Sequence, residues 1–272
     1  MDVIKADLHM HTRASDGTLT PEEVVDNIKQ GDIKLFSVTD HDTIGSITKL
    51  KELAALEGIK FIPGVEISSI YKGELLHILA YNFDVNDEKL LKLIKNNEYL
   101  LQKKDDDSIK MLIKHGFELD YDEYLSYEHE PARGGWKTLN FLIDKGVCSG
   151  VEEYFGKVFT EERMLIFPKF PEPKVVIDTI KSARGIPVLA HPRYSKSQFD
   201  LYEMLDMFRN WDIEGVECYH PHHDNEITKR CVEYCENHGL LITGGSDYHG
   251  GLLSTRSLGK PEFYTYINLL DK

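Results

Sequence analysis

The sequence predicts an α/β fold of parallel strands joined by helical crossovers. Two observations lead there: short β-rich runs alternate with amphipathic helical patterns, and the same alternation resumes after a long helical interruption. At 272 residues the chain can bury a substantial core as one α/β domain carrying an insertion.

Residues 3–6 read as the first strand. The helix that follows has a clear start, with Thr20 as N-cap, Pro21 at the first helical position and Glu23 completing a capping box. Val24, Val25 and Ile28 form its apolar stripe, and Gly31 ends it. Residues 35–39 are the next strand, a helix then runs to about Gly58, and residues 60–62, 65–67 and 75–81 are strand-like. After Pro173 come a helix at 175–183, a strand at 188–190, a helix at 201–208, a strand at 216–219, a helix at 227–237 and a strand at 240–243.

Residues 85–170 break the rhythm. Charged helical patterns run through Leu90, Leu91, Ile94 and Leu101, then Ile109, Leu112 and Ile113 up to Gly116, and a third helix spans 136–145. The expected organisation is therefore a core from 1–84 and 171–272, with 85–170 as a helical insertion capping the ligand face. The proline-rich stretch 167–173 is the return linker.

Hydrophobic residues at 41% and charged residues at 29% are ordinary for a folded domain. The amino terminus lacks the apolar core of a signal peptide, and no apolar run approaches the roughly 18 residues of a membrane helix. The expectation is a cytoplasmic protein without a membrane partner. Cys148, Cys218, Cys231 and Cys235 show no paired CxxC spacing and read as buried free thiols. A net charge of −14 argues against a broad surface for long nucleic acid. It leaves open a site in which bound cations hold phosphate, because a cation inverts the local sign.

The histidines fall at the ends of strands. His9 and His11 follow the first, His41 the second, His191 ends 188–190, His220 ends 216–219, and Asp247 with His249 follows 240–243. In parallel α/β folds those ends face one rim, where ligands bind. His77 is the exception, since it stands near the start of its strand. His9 and His11 are spaced by two, so both imidazoles leave an extended segment on one side, and Asp247 and His249 repeat the spacing. Imidazoles with carboxylates and no thiolate favour Mn, Zn or Fe over a thiolate structural site. One such pair is a weak signal; several at successive strand ends are a strong one.

These segments resemble a known family. Asp7-Leu8-His9-Met10-His11-Thr12 with Ser15-Asp16-Gly17, Thr39-Asp40-His41-Asp42, Gly64-Val65-Glu66, Ala190-His191-Pro192 and Gly245-Ser246-Asp247-Tyr248-His249 are similar, in order, to the signature of the polymerase and histidinol phosphatase (PHP) superfamily. The branch most similar is the small nucleoside-bisphosphate phosphatase type with a helical insertion. The resemblance implies a distorted (β/α)7 barrel with a cap, and a two- or three-metal phosphoesterase site. It implies a first cation on His9, His11, Glu66 and Asp247, a second on Asp16, His41 and His249, and a third on Glu66, His77 and His191. Some branches carry histidine where Asp16 stands, and the aspartate makes the second site harder and more anionic. The chemistry expected is phosphoester hydrolysis by hydroxide generated between paired cations.

Other residues are candidates for substrate contact. Arg133 opens the third insertion helix and, with Arg193 after His191-Pro192, suits a phosphate, against the plainer reading of a surface ion pair. Lys137 and Lys157 are weaker candidates. Within His220-Pro221-His222-His223 the family resemblance favours His223 as leaving-group acid or substrate contact, with His220 and His222 lining the rim, while His115, His129 and His238 suit packing or surface roles. Asp40 and Asp42 flank His41 and are expected to orient imidazoles. Trp136 can stack a base or serve the core. The leading expectation is a phosphatase for a small phosphorylated substrate, a nucleotide above all. The alternatives are a 5′-3′ exonuclease on short RNA or DNA ends, a histidinol-phosphate phosphatase, and a non-catalytic metal-binding domain.

Overall fold

A computed structural model describes residues 3–192 and 198–271. The chain runs β1 (Val3–Asp7), α1 (Pro21–Gln30), β2 (Leu35–Phe36), α2 (Ile47–Glu57), β3 (Lys60–Phe61), β4 (Gly64–Tyr71) and β5 (Glu74–Tyr81). The capping box at Thr20 forms as the sequence predicts: Glu23 N–H donates to Thr20 Oγ1 and Thr20 N–H to the Glu23 carboxylate. Val24, Val25 and Ile28 are buried beneath α1.

Residues 88–114 form one 27-residue helix, α3 (Glu88–Lys114), about 40 Å long by its rise per residue. Then follow α4 (Tyr121–Ser126), a 3₁₀ turn at Pro131–Arg133, α5 (Lys137–Asp144) and α6 (Val151–Glu153). Ile109, Leu112, Tyr124, Leu139, Phe141 and Tyr154 bury one another in a cluster distinct from the main core. The second half comprises α7 (Pro173–Ser182), β6 (Ile186–Leu189), α8 (Leu201–Asn210), β7 (Gly215–Tyr219), α9 (Asn225–His238), β8 (Leu241–Gly244) and β9 (Phe263–Tyr266). All four cysteines are free and buried. Among the described residues no helix is long and apolar enough to cross a membrane.

The strands make two sheets, ordered β3-β2-β1-β9 and β4-β5-β6-β7-β8. Neither closes into a barrel among the described residues. Single parallel bridges, Met10 with Tyr248 and His41 with Glu66, link their rims. The all-parallel expectation needs correction at two strands. β5 runs antiparallel to both β4 and β6, and β9 antiparallel to β1. The first follows from chain length: only Lys72 and Gly73 separate β4 from β5, whereas a parallel crossover needs a dozen or more residues. Both turn residues have positive φ, 49° and 86°, as a two-residue hairpin turn requires. β9 alternates buried Phe263 and Thr265 with exposed Tyr264 and Tyr266. It lies in a segment with no strand expected.

Candidate metal centre

The centre is built where β1, β2, β6, β7 and β8 end. Beyond β1 the chain stays extended, so Leu8 and Met10 enter apolar clusters while His9 and His11 point the other way. Tyr81 donates to the Leu8 carbonyl at 2.8 Å and so pins the residue before His9. Buried Asp7 ties this segment to the C-terminal loops by accepting from Ser246 N–H (2.9 Å) and Gly259 N–H (2.8 Å).

Glu66, fully buried on β4, is the hub. Its Oε2 lies 3.1 Å from His9 Nε2, 3.3 Å from His11 Nε2 and 3.2 Å from His41 Nδ1. Its Oε1 lies 3.0 Å from both His77 Nδ1 and His191 Nε2. The antiparallel direction of β5 explains His77: the Ala190 N–H donates to the His77 carbonyl, so this residue sits beside the end of β6 although it is early in its own strand.

Three groups of side chains have ligand atoms within 4.8 Å of one another: His9, His11, Glu66 and Asp247; His11, Asp16, His41 and His249; and His41, Glu66 and His77. The third gathers His41 where the family resemblance implied His191, which meets Glu66 at Oε1, the oxygen that His77 also faces. The donor set fits divalent cations. Both ring nitrogens of His11 are buried without a hydrogen bond, although carboxylate oxygens of Glu66 and Asp247 stand 3.3 Å from Nε2. Ligands aimed at a common point rather than at one another leave such orphans. The side chains of His41, His77 and His191 keep 25, 17 and 14% of their surface, so the cluster opens to solvent on their side.

The electrostatics point the same way. Burial alone would raise the Glu66 and Asp247 pKa values, but surrounding imidazoles hold both well below the usual carboxylate range. Asp16 is likewise held down, by His249 and His41 against the effect of burial. His41 is pushed to about 3 by burial, whereas for His11 burial is outweighed by Asp247 and Glu66, which lift it to about 10. His191 and Asp247 adopt φ of 26° and 48°, a strained backbone that clusters at functional sites.

Other sequence candidates are placed as follows. Asp40 and Asp42 make no hydrogen bond to an imidazole among the described residues. Asp40 accepts from Thr12 N–H and from the hydroxyls of Thr12, Ser15 and Ser46, fixing the loop that carries Asp16. Asp42 accepts from Ser68 N–H and Asn97 Nδ2, and its charge helps to raise His77. Arg133 is committed to Asp144 at 2.9 and 2.8 Å and to the Tyr127 hydroxyl. Lys137 donates to the Leu125 carbonyl and Lys157 pairs with Glu153. Trp136 packs edge-on against Tyr154, which is a core role. His223 Nδ1 lies 3.0 Å from the Cys218 carbonyl and its Nε2 is buried without a partner. His115 and His238 bond backbone carbonyls. Arg193 lies outside the described residues.

Two residues at the centre escaped sequence reasoning. Glu217, fully buried on β7, has Oε1 2.9 Å from His9 Nδ1 and accepts from His191 N–H with Oε2. Its signal was a lone acid in the apolar strand Gly-Val-Glu-Cys-Tyr. Arg256, buried in the loop before β9, donates to Asp247 Oδ2 at 3.2 Å. Nothing in its local pattern distinguishes it from a surface arginine.

Residues 7–132 match the family model of the PHP domain. The chain is 28% identical over 248 residues to a 5′-3′ exoribonuclease of Haemophilus influenzae, covering 90% of each chain. It is 27% identical over 267 residues to a 3′,5′-nucleoside bisphosphate phosphatase of Chromobacterium violaceum, covering 94% of this chain and 91% of the relative. Among solved structures it superposes on a metal-dependent phosphoesterase of Bifidobacterium adolescentis with a TM-score of 0.81 at 26% identity, covering 94% of this chain and 91% of the other.

Proposed function

Because this chain belongs to the PHP family of metal-dependent phosphoesterases, we propose that it removes a phosphate from a nucleotide-sized phosphomonoester, with nucleoside 3′,5′-bisphosphates as the substrate class. The observation that carries this reading is the meeting of three overlapping ligand groups, two of which share the carboxylate of Glu66 while His11 and His41 join the remaining one to them. Bound divalent cations, of Mn, Zn or Fe in two or three sites, supply Lewis acidity that neutralises phosphoryl charge and makes water nucleophilic at neutral pH.

In this reading His9, His11, Glu66 and Asp247 hold the first cation, and Asp16, His41 and His249 the second. His77 and His191 join Glu66 at a third. The phosphate enters on the solvent side marked by His41, His77 and His191. Arg133 contacts it after leaving Asp144, and Arg193 is a candidate only by its sequence position after His191-Pro192. His223 meets the leaving group through Nε2, the atom left over once Nδ1 serves the Cys218 carbonyl. Residues 85–170 act as a cap that limits substrate size. Their separate apolar cluster and the Gly135 N–H bond to the Asp16 carbonyl, at 2.7 Å, support that role. The two rim bridges support a distorted (β/α)7 barrel as the parent fold.

A second reading, 5′-3′ exonuclease action on short RNA, is favoured by the likeness to the Haemophilus influenzae relative. Mn-loaded protein assayed on p-nitrophenyl phosphate, a nucleoside 3′,5′-bisphosphate, histidinol phosphate and short 5′-phosphorylated oligonucleotides separates the two. The first reading expects kcat/KM for the bisphosphate at least about tenfold above that for the oligonucleotides. The reverse order establishes the second, and bound metal without turnover of any substrate rules out both.

A further inference from the structure

Asp247 divides its two carboxylate oxygens between different duties. Oδ1 faces the cluster, 3.4 Å from His9 Nε2 and 3.3 Å from His11 Nε2. Oδ2 turns away, 3.3 Å from His220 Nε2 and 3.2 Å from Arg256 Nη2. His220 Nδ1 accepts from His222 N–H, which leaves its proton on Nε2 to donate to Asp247. The backbone of Asp247 is fixed as well, at a φ of 48° and by its N–H bond to the His9 carbonyl. What remains free is rotation about the two side-chain bonds, Cα–Cβ and Cβ–Cγ, and the two donors on Oδ2 oppose it.

The Arg256 side chain is only 4% exposed and lies under His222, whose Nε2 it touches. Its Nε is buried without a hydrogen bond. A guanidinium buried beside a would-be cation is costly, since it opposes cation binding. It survives here because it holds one oxygen of the aspartate.

On the reading that Asp247 ligates the first cation, we infer that Arg256 is a positioning residue that keeps this ligation one-oxygen. A carboxylate held in this way leaves coordination room for water and substrate, whereas a freed one can chelate through both oxygens. Arg256 therefore restrains metal affinity and favours turnover.

The test uses the full chain, with Mn(II) binding measured by calorimetry and turnover of p-nitrophenyl phosphate measured beside it. Arg256→Met removes charge and donors while keeping an unbranched stem. Its expected result is Mn(II) binding at least about threefold tighter, with kcat about 10–100-fold lower, the range typical for partners of metal ligands. Arg256→Lys, which keeps the charge and one donor, is expected between Arg256→Met and wild type, and it serves if the methionine variant does not fold. Parallel loss of affinity and kcat, or kcat within about twofold of wild type, overturns the inference. Asp247→Asn is the separate control: unchanged Mn(II) binding there would refute the ligand assignment itself rather than the role of Arg256.

Discussion

The Glu217 carboxylate lies 2.9 Å from His9 Nδ1, inside the sheet and out of reach of solvent. Burial would raise its pKa, but His9 and His220 hold it at about 2, so it is ionised and accepts the Nδ1 proton. That fixes the tautomer of His9 with Nε2 turned to Glu66 and Asp247. The other oxygen of Glu217 accepts from the His191 backbone. One carboxylate thus sets two rim histidines.

Glu217→Gln keeps the shape but removes the charge, and its amide cannot accept from both partners at once. We expect an unchanged circular dichroism spectrum with metal affinity and kcat reduced about 10–100-fold. Wild-type metal content and turnover in this variant would show that Glu217 does not orient the site.

If His11 ligates a cation as proposed, protons and metal compete at its ring. With its pKa lifted to about 10, the metal-free imidazole is charged at pH 7, whereas a ligand must be neutral. Because the folded value exceeds the unfolded 6.5, this group stabilises the metal-free fold fully below pH 6.5 and loses that contribution as pH rises through 10. Mn(II) binding at pH 7 should therefore release a proton. Affinity should climb toward pH 10, while the metal-free Tm falls over the same interval. Binding heats that do not depend on the buffer's ionisation enthalpy would contradict this.

Much of the centre was legible because its chemistry repeats along the chain. His9, His41, His191 and Asp247 stand at strand ends, where a parallel sheet collects distant residues. Direction was the harder matter. The two-residue gap at Lys72-Gly73 marks a hairpin, and with it His77 ceases to be an exception. Glu217 sits mid-strand, where position says nothing of the rim, and Arg256 acts through a loop contact that no periodicity encodes. Asp40 shows the converse: its place beside His41 suggested an imidazole partner, but nearer hydroxyls of the 12–15 loop claimed it.

The turn before α5 packs against the loop that carries Asp16, with the Gly135 N–H donating to the Asp16 carbonyl. Gly134 has a φ of 68°, and a Cβ there would stand 2.8 Å from Thr18 Cγ2 and 2.9 Å from the Asp16 carbonyl oxygen. Gly134→Ala should cost about 1–3 kcal/mol in urea unfolding, from backbone strain and from the displaced carbonyl. It should also weaken binding at the group that contains Asp16. Gly146→Ala is the matched control, since its φ is 69° with nothing within 4 Å of the added carbon. Equal metal binding in the two variants would separate the turn from the cluster.

Arg133 has two possible employers, and Asp144 tells them apart. The pair is bidentate and half exposed, so it contributes at most about 1 kcal/mol to stability. If the guanidinium serves the substrate phosphate, Arg133→Ala loses a charge-assisted contact and KM rises about tenfold or more. Asp144→Ala instead releases Arg133 and leaves KM within about twofold of wild type or below it. If the arginine only braces Tyr127 against α5, both variants soften the insertion alike and neither moves KM. Measuring KM for both on the same nucleoside bisphosphate, beside their melting curves, decides which partner the arginine works for.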